Sequence, residues 1–302
     1  MRLRNFIYRL KQKWNYHTAK NDFERKVADI NRNYLRIILK KNHFWIVGHN
    51  IEFNIKSHGF VAERFELFMK LLKSGNSSIS IDNDNLYFIS NDLTLKITTA
   101  EEIFIIYEIF ERRCYDVIIN SDFNVVDIGM NVGYASLFFA QNPKVNKIYG
   151  YEPFKPTFKE ALANFEMNKK YAMKIIPKNF GLGSRSYTLS ANYSGKQKGK
   201  NTTLTSVNPD VETIQLQCAD EVIDSIIKQN PSANLMVKMD CEGAEFEIFE
   251  IYNDKKIPEQ LIGFIIEWHN KDPQTIIDTL LENHFKVHNT VNGDLGLITA
   301  FR

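Results

Sequence analysis

The chain has 302 residues, of which 44% are apolar, 25% charged and 13% aromatic, enough for one large domain, or one domain with a sizeable appendage. A net charge of +2 gives the molecule as a whole no strong electrostatic instruction about partners. Cys114, Cys218 and Cys241 are widely spaced and read as reduced thiols. No apolar run nears the ~18 residues that span a bilayer and no signal-peptide core follows the basic N-terminus, so a cytoplasmic protein is expected.

The first 45 residues read as polar and helical. MRLRNFIYRLKQKW spaces Leu3, Phe6, Ile7, Leu10 and Trp14 as one helical face, and residues 1–20 hold six lysines and arginines and no acid. This basic helix, residues 1–20, has several uses open to it: packing on its own domain, homo-oligomerisation, a partner protein, or the periphery of an anionic membrane. AERFELFMKLLKSG predicts a second helix with Gly75 as its C-cap. SISI, NLYFIS and LTLKIT follow as short strands joined by Asp-Asn and Asn-Asp turns. We take residues 1–97 as an N-terminal helical and short-strand region with a docking, dimerising or substrate-related role.

A helix from Thr98 or Thr99 through Tyr115 leads into a second domain, 98–302. From there strands and helices alternate: NVVDIG, GYASLFFAQN, KIYGYEP, KPTFKEALANFEMNKK, then MKIIPKNF, SYTLS and TIQLQCA as strands. ADEVIDSIIKQN, LMVKMD, EGAEFEIFEIY, GFIIEWH and DPQTIIDTLLENHF continue the alternation, and KVHNTV with LGLITAFR closes it as a hairpin. Near-continuous apolar strands alternating with helices predict an α/β fold, a mostly parallel sheet covered on both faces and ending in an antiparallel hairpin.

Ligands of such sheets sit beyond the carboxyl ends of the strands. VVDIGMNVGY ends the first of them. Gly129 and Gly133 suit a turn that a ligand can approach, and Asp127 and Asn131 offer polar contacts to a cationic or amine-bearing group. Glu152, at the end of the next strand, suits vicinal ribose hydroxyls. A dinucleotide turn needs G-x-G-x-x-G to hold a pyrophosphate. Here the spacing is G-x-N-x-G behind an acid, which would repel pyrophosphate and favour the charges of S-adenosylmethionine. Tyr134 and Pro153, beside the turn and the acid, complete that expected set, with Asn179 and Phe180 as adenine contacts.

KMDCEGAE places Lys238, Asp240, Glu242 and Glu245 at the end of a later strand. Asp240 is the first candidate for orienting the donor or accepting a proton. Glu242 and Glu245 are expected on one face of the following helix, as catalytic acids or as partners of the helix dipole. EWHN contributes Glu267 and His269, the latter a candidate general base with an ordinary pKa near neutrality. Asp240, Glu267 and His269, with Glu242 nearby, also form a candidate Mg²⁺ or Mn²⁺ site. NYSGKQKGKNTTLTSVNP, residues 192–209, reads either as a loop over the acceptor or as a passive surface insertion.

VVDIGMNVGYASLFFA, IYGYEPFKPTFKEALANFEMN, LMVKMDCEGAEFEIFE and FIIEWHN together resemble the FkbM-type family of S-adenosylmethionine-dependent methyltransferases, from about Thr98 to the C-terminus. The resemblance implies a class I methyltransferase (Rossmann-like) sheet, parallel except for its last hairpin strand, and O-methylation of a hydroxyl on a sugar, glycan or related small molecule. Met130 departs from the family's usual alanine and is expected to narrow the cofactor pocket. A lipid, protein or secondary-metabolite acceptor, and a non-catalytic scaffold that binds the donor, stand as alternatives. Nucleic acid is disfavoured, because the basic surplus is confined to the N-terminal helix.

Overall fold

The computed structural model describes residues 2–32, 36–75, 77–195 and 210–302. The chain forms two compact units, Met1–Arg112 and Arg113–Arg302.

The first unit begins with helices α1 (Arg2–Thr18) and α2 (Asp22–Ile30), the latter capped by the Asn21 side chain on the Glu24 amide. The helical reading of the first 45 residues stops there. IILK and HFWI instead form β1 (Ile37–Lys40) and β2 (His43–Ile46), joined by a turn with Lys41 in the left-handed region, and β3 (Glu52–Asn54) completes an antiparallel sheet. Phe44 and Ile46 bury while His43 and Trp45 do not, a period of two that such short segments hide among lysines.

A single helical turn, α3 (Ile55–His58), and a 3₁₀ segment at Gly59–Arg64 lead into α4 (Phe65–Lys73). This helix ends on extended Ser74, and Gly75 is not its left-handed cap. The antiparallel sheet of β4 (Ser77–Asp82), β5 (Asn85–Ser90) and β6 (Leu93–Ile97) follows the predicted strands. α5 (Ala100–Ile106) starts with a capping box between Thr99 and Glu102 and continues through Glu111 as a π-turn. It packs on Gly59–Arg64 and α4, so the boundary between units lies after Arg112 rather than at 97.

The second unit is built on a sheet ordered β15–β16–β14–β13–β7–β8–β9: Lys286–Asn292, Leu295–Phe301, Leu261–His269, Asn234–Met239, Phe123–Ile128, Val145–Tyr151 and Ile175–Lys178. All neighbours in it are parallel except the two pairs made by β16. Connecting helices are α6 (Tyr134–Ala140), α7 (Lys155–Met167), α8 (Lys169–Ala172), α9 (Ala219–Gln229), α10 (Ala244–Glu250) and α11 (Gln274–Glu282). Val126, Val237, Phe264 and Ile266 bury completely between the helical layers, each contributing about 1.5–3 kcal/mol. A small side sheet of β10 (Gly181–Gly183), β12 (Asp210–Cys218) and β11 (Tyr187–Tyr193) interrupts the alternation. Most of the loop expected at 192–209 lies outside the described residues.

The chain runs outward from β7 to β9, then crosses back to start again at β13. The adjacent carboxyl ends of β7 and β13 are therefore the switch point where open α/β sheets bind ligands.

Candidate active site at the ends of β7 and β13

Asp127 is fully buried at the end of β7. It accepts a 2.6 Å hydrogen bond from Ser136 Oγ and lies 3.1 Å from the Lys238 ammonium. That ammonium also donates to the Gly129 carbonyl at 2.7 Å and sits 3.7 Å from Asp240. Burial alone would lower the Lys238 pKa, but Asp127 and Asp240 outweigh it and hold the group charged. Two expectations are corrected here. Asp127 is an internal strut rather than a wall of the ligand cleft, and Lys238 ties two turns together and is no candidate for moving protons.

The glycines serve the same junction. Gly129 has φ +77°, and a Cβ there would lie 1.8 Å from the Asp240 carbonyl oxygen, so its smallness admits the β13 turn as well as a ligand. Gly133 has φ +84°, and a Cβ there would meet the Phe165 ring at 2.6 Å. Tyr134 is buried behind it. Neither Gly133 nor Tyr134 lines the cleft. Met130 is buried too and packs over Gly150, where a Cβ would come within 2.3 Å of its sulfur. It therefore leaves the cleft's width unchanged, contrary to expectation.

The cleft itself is open at its mouth, with about 650 Å³ of space counted out into the solvent. Gly129 and Asn131 form one wall, and Glu152 and Pro153 another. An apolar slot is made by Ile128, Phe154, Leu182 and Leu216, and Asp240, Cys241 and Glu242 close the far side. Phe154, Leu182, Leu216 and Cys241 were missed in the sequence. The side sheet carries two of them, and no local pattern announces its fold-back.

Glu152 is the buried acid of this cleft. The amides of Asn131 and Phe154 donate to its two oxygens at 3.0 and 2.9 Å, leaving each oxygen a further lone pair. Burial pushes its pKa up to about 7, despite those amides and Lys238 acting the other way. Asn179 is not part of the cleft lining; its side-chain amide donates to the Glu152 and Pro153 carbonyls at 2.9 and 3.2 Å. Phe180 leans on Tyr151 and the core.

At the end of β13, Glu242 (φ +55°) and Gly243 (φ +111°) turn left-handed before α10 begins. Glu242 and Glu245 thus do not share a helix face. Glu242 stands at the cleft, whereas Glu245 is fully buried and accepts from the Gly243 amide (2.8 Å), the His269 amide (2.9 Å) and, at 3.2 Å, His269 Nδ1. His269 Nε2 faces Glu242 and Glu267, each at 3.8 Å. Burial would lower the histidine's pKa, yet the Glu245 hydrogen bond, with Glu242 and Asp240, raises it to about 9. A pKa raised in this way favours the imidazolium at neutral pH and works against the histidine as resting general base. Ligand atoms of Asp240, Glu242 and His269 lie within 4.8 Å of one another; Glu267, expected in that set, is not among them, although its carboxylate lies 3.8 Å from His269 Nε2.

The sequence matches the family model of the Methyltransferase FkbM domain over residues 127–287, and no curated protein matches it. Its fold is similar to an FkbM methyltransferase from Methylobacillus flagellatus KT (12% identity, TM-score 0.44, covering 80% of this chain and 60% of that one). It is also similar to TrmK of M. capricolum, solved with S-adenosyl-homocysteine (14%, 0.35, 64% and 67%), and to a human methyltransferase 10 domain containing protein (12%, 0.42, 83% and 98%). The chain spans about three-fifths of the Methylobacillus protein's length. With more than half of its residues inside the family model, the chain belongs to the FkbM family of S-adenosylmethionine-dependent methyltransferases.

Proposed function

We propose that this protein transfers a methyl group from S-adenosylmethionine to a hydroxyl oxygen of a sugar, glycan or related small molecule. The observation that carries this reading is the polarity of the cleft. A buried carboxylate with spare lone pairs, Glu152, adjoins an apolar slot, and two further carboxylates, Asp240 and Glu242, close the opposite end. Ribose hydroxyls suit Glu152, a flat base suits Ile128, Leu182 and Leu216, and a cationic end suits the acids. A pyrophosphate would meet those acids unfavourably, which speaks against a nicotinamide dinucleotide.

Bound there, the donor supplies an electrophilic sulfonium methyl. The chain's residues hold the two reactants in line, and orientation of this kind is worth ~7–11 kcal/mol. Asp240, whose side chain is 30% exposed, is the residue we assign to take the hydroxyl proton. Glu242 lies beside it. His269 is a positioning residue: its charged ring, anchored by Glu245, steadies Glu242 and Glu267.

Asp240, Glu242 and His269 also fit a hard divalent cation, with Glu245 on the far ring nitrogen as metal-bound histidines commonly have. An ion held there would lower the pKa of the accepting hydroxyl.

Calorimetric titration with S-adenosylmethionine and S-adenosylhomocysteine tests the donor, and label transfer to glycans and nucleotide sugars tests the acceptor. Heat with both ligands and label on a sugar oxygen are expected. Silence in calorimetry overturns the reading, and label on lipid or protein alone replaces the acceptor. Loss of turnover in EDTA, restored by Mg²⁺ or Mn²⁺, would assign the ion; unchanged turnover would exclude it.

A further inference from the structure

Helix α1 is folded with its polar side inward. Gln12 is only 6% exposed, and with Asn15 and Ala19 it lines a crevice against Val27 and Ala28 of α2 and Ile37 of β1. The opposite side carries Leu10 and Trp14, 51% and 67% exposed. At about 100° per residue, Leu10 and Trp14 share an arc roughly 100° wide with the sequence positions of Leu3, Phe6 and Ile7. A helix whose only task was to complete its own unit would bury that arc, since apolar burial is the main force available to it. Here Leu10 and Trp14 are instead left open, away from the crevice that Gln12 and Asn15 line against α2 and β1.

Charge identifies what covers it. Arg2, Arg9 and Lys13 border one edge of the arc, Arg4 and Lys11 the other, and the first acid of the chain is Asp22. A second copy would bring the same positive edges face to face. An anionic surface satisfies them, and one that is apolar beneath its charges also accepts leucine and tryptophan. No helix among the described residues is long and apolar enough to cross a membrane, which leaves lying in the interface. We propose that α1 is a peripheral membrane anchor that docks the protein on an anionic lipid bilayer, with Leu10 and Trp14 in the headgroup–acyl boundary and the basic residues against the headgroups. The proposal is independent of the methyl-transfer reading.

The test is co-sedimentation of the full chain with vesicles of phosphatidylcholine alone and of phosphatidylcholine with an equal part of phosphatidylglycerol. Sedimentation with the mixed vesicles, little with the neutral ones, and release by high salt are expected. Arg9→Glu with Lys13→Glu should weaken partitioning by at least roughly fivefold for each cation lost. Leu10→Ser with Trp14→Ser should weaken it about tenfold or more, with an unchanged melting temperature, because both side chains are exposed. Equal binding to both vesicles, no binding to either, or binding indifferent to the Leu10/Trp14 pair overturns the proposal. So does a dimer in analytical ultracentrifugation that the Trp14 change dissolves, which would make the occupant a second copy.

Discussion

The turns after β7 and β13 lie side by side and are both rich in acid and glycine, yet they do different work. After β7, the polar residues are spoken for inside the protein: Asp127 by Ser136 and Lys238, the Asn131 amide by Glu152. After β13, Asp240 and Glu242 keep 30% and 23% of their side-chain surface open at the cleft. The more conspicuous motif builds the platform, and the second one presents chemistry. A carboxylate's role at a strand end therefore follows from how completely its surroundings close over it, since Asp240 and Glu242 also have cations beside them yet stay open at the cleft.

The sharpest way to break this contrast is Asp127→Ala. It leaves Lys238 charged and buried beside an empty space, and should cost about 3–5 kcal/mol in denaturant unfolding. A loss below 1 kcal/mol (roughly the level of a surface pair) would show that Asp127 is no strut. Asp240→Asn should do the opposite, lowering turnover about 10²-fold or more while the unfolding midpoint barely moves. Equal effects of the two substitutions on stability would erase the distinction.

Glu152→Gln should weaken donor binding roughly 10- to 100-fold by calorimetry. In the wild type, affinity should fall as pH drops through about 7, where the carboxylate takes up its proton; a flat profile would take Glu152 out of the contact. The smallest effect concerns His269. Its folded pKa, raised from 6.5 to about 9, contributes stability that is complete below pH 6.5 and is lost as pH rises through about 9. Protein kept in EDTA should melt a few degrees lower above that range, roughly the scale of 1 kcal/mol or so. His269→Gln should lack the drop.

Much of the second unit could be read directly, because β7, β13 and β14 are apolar runs with turn residues at their ends and helices between. The capping box at Thr99 and Glu102 is likewise a local signal. What escaped depended on partners distant in sequence. Nothing near Asp127 announces that Lys238 will neutralise it, and nothing near Glu245 announces that β14 will deliver His269 onto it. Leu182 and Leu216 reach the cleft only because β10 and β12 pair in a side sheet. In the first unit, β1 and β2 are four residues each; β2 is too short for its alternation to stand out, and β1 buries only Ile37.

Met130 and Gly150 act as a matched pair of volumes, one large because the other is absent. Shrinking Met130 alone to alanine would open a void costing about 2–5 kcal/mol, while Gly150→Ala would collide with the Met130 sulfur. Making both changes together should recover most of either loss. Bulk beneath this turn is then a quantity to be conserved as a sum, free to move between the two positions without disturbing the site above it.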